Sequence, residues 1–242
     1  MAFVFPPHLL AALPVAGSAD SFPVRRVYCV GRNYADHARE MGALEQAEGR
    51  EPPFFFMKPG DTVVSGAGEI SVAYPPATNN LHHEVELIVA LGAGGANVIP
   101  QGDDIRGAVD TAKSLIFGYA VGLDLTRRDI QGRAKEKGQP WDMGKGFDQS
   151  AVAGVIQPVA MVGHPDHGRI WLSVNGKIRQ DGDLAAMMWK VADIIANLST
   201  LVRLEAGDLI YTGTPAGVGP LVPGDVLEGG VDGVGTLRVR IV

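Results

Sequence analysis

Short apolar runs separated by Gly, Pro, Asn and Asp make up most of the chain. From VRRVYCVG (24–31) through TVVSG, EISVA, ELIVALG, IFGYAVGLDL, AVAGVI, RIWLSVNG, DLIYTG and DVLEGG to TLRVRIV (236–242), these runs are strand-length and rich in Val and Ile. Helical spacing is confined to YADHAREMGA, to IRGAVDTAKSLI or TRRDIQGRAKEKG, and to MMWKVADIIANLSTLV. In the last, Met188, Val191, Ile194, Ile195 and Leu198 share a face. Strands outnumber helices and do not alternate with them, which argues against a doubly wound parallel fold. The pattern predicts an α+β, mainly β protein. WLSVNGKIRQDGD holds two turn signals, Asn175-Gly176 and Asp181-Gly182, and the NG pair between alternating runs predicts a hairpin.

Composition narrows the function classes. The 242 residues suffice for one large core, and the formal charge of −6 with no basic run argues against a polyanion-binding surface. The one cysteine, Cys29, excludes an intramolecular disulfide and reads as a small buried hydrophobe within VYCV. The apolar start MAFVFPPHLLAALPVAG lacks a basic leader, and Pro6, Pro7 and Pro14 interrupt it. No apolar stretch is long enough to span a membrane. The expectation is a cytoplasmic protein with residues 1–23 as a docked extension ahead of one domain over 24–242.

HHEVELIVALG (82–92) is harder to explain. On a strand, Glu84 and Glu86 point to one side while Val85, Leu87 and Val89 point to the other. A solvated strand face would tolerate the two charges. A buried face would not, unless a cation lay between them. Asp124 closes the buried-looking run GYAVGLDLT and supplies a third carboxylate. Three carboxylates without a Cys/His cluster suit a hard divalent cation with oxygen ligands, Mg²⁺ or Mn²⁺. Lys145, in WDMGKGFDQ, would bring three acids and one dication to neutrality. His82 and His83 are adjacent but fall outside the tight strand pattern, so a structural or loop role is expected for both.

YCVGRNYADHAREMG, PPFFFMKPGD, HHEVELIVALG, GYAVGLDLTRRDIQ, PWDMGKGFD and DLIYTGTPAGVGPLVPGD, in that order, resemble the fumarylacetoacetate hydrolase family. The likeness covers most of the chain and is nearest the small acylpyruvase branch. It implies a mixed β-roll or sandwich of the family's C-terminal-domain type, a homodimer, and Mg²⁺ or Mn²⁺ held by Glu84, Glu86 and Asp124. It also implies that His37 and Glu40 activate a water from a short lid helix within 33–50, with a hinge in GALEQAEGRE. Lys145 would add positive charge near the reacting oxygen. Arg128, Gln131 and Thr214 would contact a small diketo acid, Thr214 through its amide and hydroxyl, and Arg32 or Lys58 would meet a distal carboxylate. The implied reaction is hydrolysis of the C–C bond of a 3-acylpyruvate, fumarylpyruvate in gentisate-type aromatic catabolism. Oxaloacetate decarboxylation, or decarboxylation or isomerisation of another diketo acid, stays open. So does a metal- or ligand-binding relative without turnover.

Overall fold

The computed structural model describes residues 3–42, 52–99 and 105–242, so the expected hinge beyond Gly42 lies outside the described residues. Its centre is a mixed sheet in the order β4 (Phe54–Lys58), β3 (Arg26–Gly31), β15 (Asp208–Tyr211), β8 (Val85–Leu91), β9 (Ile116–Asp124), β11 (Ala151–Ala153), β5 (Val63–Ser65). A short strand, β12 (Gln157–Pro158), also pairs with β9. A second sheet runs β14 (Lys177–Asp183), β13 (Arg169–Val174), β17 (Val226–Val231), β18 (Gly235–Ile241), β6 (Glu69–Val72). A small third sheet joins β10 (Thr126–Arg127), β7 (Leu81–His83) and β16 (Gly219–Leu221), and β1 (Ala12–Pro14) pairs with β2 (Ser21–Pro23). The fold is mainly β, as the pattern of runs predicts, and its parallel and antiparallel pairs are mixed, as the resemblance implies.

Period-two alternation decides what each face of the central sheet meets. Val85, Leu87, Val89 and Leu91 of β8 enter the larger core with Leu123 of β9, Ile170 and Leu172 of β13 and Val239 of β18. Ile88 and Ala90 face the other way. There they meet Cys29, Ala120, Ala151, Ala153 and Tyr211, and Leu13 and Phe22 from the β1–β2 pair close over them. Leu13 is fully buried, whereas Phe3, Val4, Phe5, Leu9 and Leu10 are exposed. This second face is built from small residues because the strands crowd one another. A Cβ on Gly122 would lie 2.3 Å from Ile88 Cδ1 and 2.6 Å from the Val152 carbonyl oxygen.

Six helices complete the described fold: α1 (Ala35–Glu40), α2 (Ile105–Ser114), α3 (Arg128–Glu136), α4 (Asp142–Lys145), α5 (Val159–Val162) and α6 (Val191–Leu201). Both of the alternative central helices therefore form. Met188 precedes α6, which buries Ile194, Ile195 and Leu198. Among the described residues no helix is long and apolar enough to cross a membrane.

One turn signal holds and the other does not. Asn175 and Gly176, both at positive φ, join β13 to β14. Asp181-Gly182 instead lies inside β14, paired with Trp171 and Ile170. Gly182 answers a packing need, since a Cβ there would stand 2.7 Å from Pro215 Cβ. The close approach of β8, β9 and β11 yields a stability prediction. Gly122→Val should lower the urea midpoint by an amount equivalent to about 1–3 kcal/mol. An unchanged midpoint would mean that the strands are not packed this tightly.

Candidate metal centre and active site

Strand register assembles the acids. Antiparallel pairing of β8 and β9 sets Glu86 opposite Gly122, and the Asp124 amide donates to the Glu84 carbonyl at 2.9 Å. Glu84, Glu86 and Asp124 therefore leave the backbone on one side, above the small-residue face. One oxygen from each lies within 4.8 Å of the others, and all three residues are buried. The solvated-face alternative is thereby removed.

Cations surround the group unevenly. Lys145, at the end of α4, places Nζ 2.7 Å from Glu84 Oε2 and 2.6 Å from Asp124 Oδ2. Arg128 Nη2 lies 2.5 Å from Glu84 Oε1. Lys58 Nζ lies 2.7 Å from Asp124 Oδ1 and donates to the Leu125 and Lys145 carbonyls. Glu86 has no lysine or arginine partner among the described residues; its Oε2 accepts the Gly213 amide at 2.6 Å. The acidities follow this asymmetry. Burial, then the charges of Asp124 and Glu84, push the Glu86 carboxyl well above the usual carboxylate range. Burial would raise Glu84 as well, but Lys145 and Arg128 outweigh it and hold that carboxyl well below its usual value. For Lys145, burial works against the ammonium and is more than offset by Asp124 and Glu84.

The donor set fits a hard dication. All three side chains offer oxygen, and Glu86 lacks a counterion among the described residues. Asp124 Oδ1 contacts Lys58 without an aligned hydrogen bond and has no other partner among the described residues. Mg²⁺ and Mn²⁺ both suit such a set.

His37 lines the same cleft as this cluster and is paired with Glu40. Both residues lie on α1, three positions apart, and His37 Nδ1 is 3.2 Å from Glu40 Oε2. The Glu40 carboxylate also accepts the Gly217 amide at 3.1 and 3.2 Å. Ahead of the helix, buried Asn33 donates to the Trp189 and Thr212 carbonyls and accepts the Trp189 amide. The segment carrying α1 is thus stitched to the loop that follows β15. Glycines let that loop approach closely: Gly213 and Gly217 adopt positive φ, and a Cβ on Gly217 would lie 2.0 Å from the Arg179 carbonyl oxygen. Burial lowers the His37 pKa, outweighing the opposite pull of Glu84 and Glu40, so the ring is neutral near pH 7.

A cleft of about 390 Å³, counted to its open mouth, is lined by the three acids, His37, Arg32, Arg128, Gln131, Lys145 and Thr214. Gln131 Oε1 accepts from Arg128 Nη1 at 2.8 Å, leaving its NH₂ without a partner among the described residues. The Thr214 hydroxyl donates to the Val85 carbonyl and accepts from Gln180, so it is already committed, unlike the expectation for it. The Thr214 amide is the group left open. Lys58 departs further from expectation. It is fully buried beneath Asp124 and lines no part of the cleft, because β4 ends under the acids and not at the mouth. Its position assigns it to balancing Asp124.

The histidines of HHE are structural. His82 Nε2 pairs with Asn80 Oδ1 and Nδ1 accepts from Arg128; burial and Arg128 lower its pKa to about 4. His83 Nδ1 pairs with Gln180 Oε1 at 3.0 Å. Among the cleft residues that the sequence reading did not single out are Lys135 and Trp141. Lys135 follows Gln131 by four positions on α3, a spacing that places them on one face and offered a signal for it.

Mixed β-rich sheets around a buried triad of acids, bridged by a lysine and sharing a cleft with the His of a His–Glu pair, define a class of site that could hold a metal. Residues 26–242 match the fumarylacetoacetate (FAA) hydrolase C-terminal family, and the chain belongs to that family. It is 44% identical over 192 residues to a fumarylpyruvate hydrolase of Ralstonia sp, covering 79% of this chain and 93% of that one. It is 41% identical over 217 residues to the mitochondrial oxaloacetate tautomerase of Mus musculus, covering 90% of this chain and 91% of that one. A crystal structure of fumarylpyruvate hydrolase from Pseudomonas aeruginosa, in complex with Mn²⁺ and pyruvate, is 47% identical. It superposes with a TM-score of 0.92 over 100% of this chain and 99% of that one.

The uneven charge yields a metal-binding prediction. Because Glu86 lacks a counterion, Glu86→Gln should keep or raise the melting temperature measured in EDTA. Added Mn²⁺ should then stabilise the wild type but shift the variant by less than half as much. Equal Mn²⁺-induced shifts would show that Glu86 does not hold the ion.

Proposed function

We propose that the chain is a divalent-metal-dependent hydrolase that cleaves the C–C bond of a 3-acylpyruvate, with fumarylpyruvate, of gentisate-type aromatic catabolism, as its substrate. The observation that carries this reading is a carboxylate-anchored imidazole, its pKa lowered by burial, lining the same cleft as a buried oxygen-donor triad. Charge supports it. Three carboxylates face Lys58, Lys145 and Arg128, so a dication leaves the cluster two charges positive, an environment for an anionic 2-oxo acid.

The cation, when bound at Glu84, Glu86 and Asp124, supplies positive charge against which the oxygens of the 2-oxo acid are held. The chain's own groups do the rest. His37 donates Nδ1–H to Glu40 and keeps Nε2 as its basic nitrogen, which takes a proton from water. The resulting hydroxide adds to the distal carbonyl carbon. The bond between that carbon and the adjoining methylene breaks, and its electron pair leaves with the pyruvate half as an enolate. The Lys145 ammonium and the Gln131 NH₂ are the donors nearest the negative charge that develops. Proton return to the methylene carbon gives pyruvate, and the acyl half leaves as a carboxylate.

A second reading is favoured by the likeness to the mouse oxaloacetate tautomerase. Tautomerisation, unlike decarboxylation, also uses a base that moves a proton, so His37 and Glu40 serve both reactions. Turnover separates them. Purified protein assayed with fumarylpyruvate, acetylpyruvate and oxaloacetate should hydrolyse the acylpyruvates with Mn²⁺ and lose that activity in EDTA. Interconversion of oxaloacetate tautomers with no acylpyruvate hydrolysis would replace the first reading by the second.

Two further outcomes follow from His37. His37→Ala should retain Mn²⁺ and lose at least 100-fold in kcat on acylpyruvates; wild-type turnover would remove the base from the mechanism. Since burial holds the imidazole pKa below 6.5, kcat/KM should stay level down to about that pH and fall only in more acidic buffer, as the ring protonates. An acid limb centred above pH 7 would contradict this placement.

A further inference from the structure

Most cations around the cleft are already engaged: Lys145 with Glu84 and Asp124, Lys58 with Asp124, and Arg128 with Glu84 and Gln131. Lys135 and Arg32 differ. Both line the cleft, and among the described residues neither pairs with a carboxylate. Lys135 Nζ stands 4.9 Å from the centroid of the Trp141 ring. Phe54 packs edge-on against that ring at 5.0 Å, and Phe56 lies 6.0 Å away. The ammonium is therefore half-buried on an aromatic shelf, a costly place for a cation with no anion. Arg32 holds a left-handed backbone at φ 59, which is uncommon for a residue other than glycine.

Resting on the function proposed above, we infer that Lys135, assisted by Arg32, is the subsite for the second carboxylate of a dicarboxylic acyl group and selects fumaryl over simple acyl substrates. Helix geometry supports the assignment. Gln131 and Lys135 are one turn apart on α3, about 5–6 Å between Cβ atoms. If the Gln131 NH₂ serves the reacting end, Lys135 lies one step further out, a span comparable to a trans four-carbon diacid. Electrostatics agree: burial together with Arg128 and Arg32 lowers the Lys135 pKa to about 8, so the cations crowd one another until an anion enters.

The test compares two product-like acids, fumarate and crotonate, which share a carbon skeleton and differ in the second carboxylate. Calorimetric titration with Mn²⁺ and pyruvate present should show wild type preferring fumarate at least tenfold. Lys135→Met should reduce that preference below threefold, with part of it restored in Lys135→Arg. A full preference surviving in folded Lys135→Met protein, verified by circular dichroism, overturns the inference, as does equal binding of the two acids by wild type. Turnover separates this from the reaction itself. Wild type that prefers fumarate but hydrolyses no acylpyruvate keeps the subsite and loses the hydrolase. Wild type that hydrolyses acetylpyruvate and fumarylpyruvate with equal kcat/KM and binds both acids alike keeps the hydrolase and loses the subsite.

Discussion

Burying three carboxylates within 4.8 Å of one another is the constraint around which the neighbouring structure is arranged. Each buried ion costs on the order of several kcal/mol in lost hydration, and like charges at this range repel. The fold answers with lysines from two separate elements, β4 and α4, an arginine from the start of α3, and one backbone amide. None of these compensates Glu86 with a full charge. The cluster is consequently balanced in count but unbalanced in place, and that imbalance is where a dication fits.

One loop couples the acid triad to α1, the helix that carries His37 and Glu40. Gly213 holds Glu86, Thr214 lines the cleft, and Gly217 holds Glu40. Gln180, on β14, fixes the same loop through the Thr214 hydroxyl and the Pro215 carbonyl while also binding His83. A shift of that loop would therefore move an acid of the triad and the partner of the base together. Position of the imidazole and readiness of the metal site are set by shared backbone, not by independent contacts.

Some of this was legible in the chain because it depends on local periodicity. E-x-E on an alternating strand puts both acids on one side whatever lies opposite, and NG between two runs makes its hairpin without help. Asp181-Gly182 misleads because glycine serves two ends, positive φ and close approach, and only the neighbour shows which. Here the neighbour is Pro215. Lys58 misleads for a related reason: its block resembles one near the cleft, but its burial is decided by the strand that it ends. Lys135 was visible only as one of several charges on a polar helix until Trp141 and the cleft gave it surroundings.

The sequence by itself determined the mainly β class, the shared side of Glu84 and Glu86 and the His–Glu spacing, since each follows from the pattern within single elements. Tertiary structure alone decided which cation answers which acid, that the Thr214 hydroxyl is engaged, and that Lys135 and Arg32 line the cleft with no carboxylate partner among the described residues. Those facts depend on strand register and on contacts between residues far apart in the chain. Alternation along a strand says which side a group leaves from, but not what the fold brings to meet it.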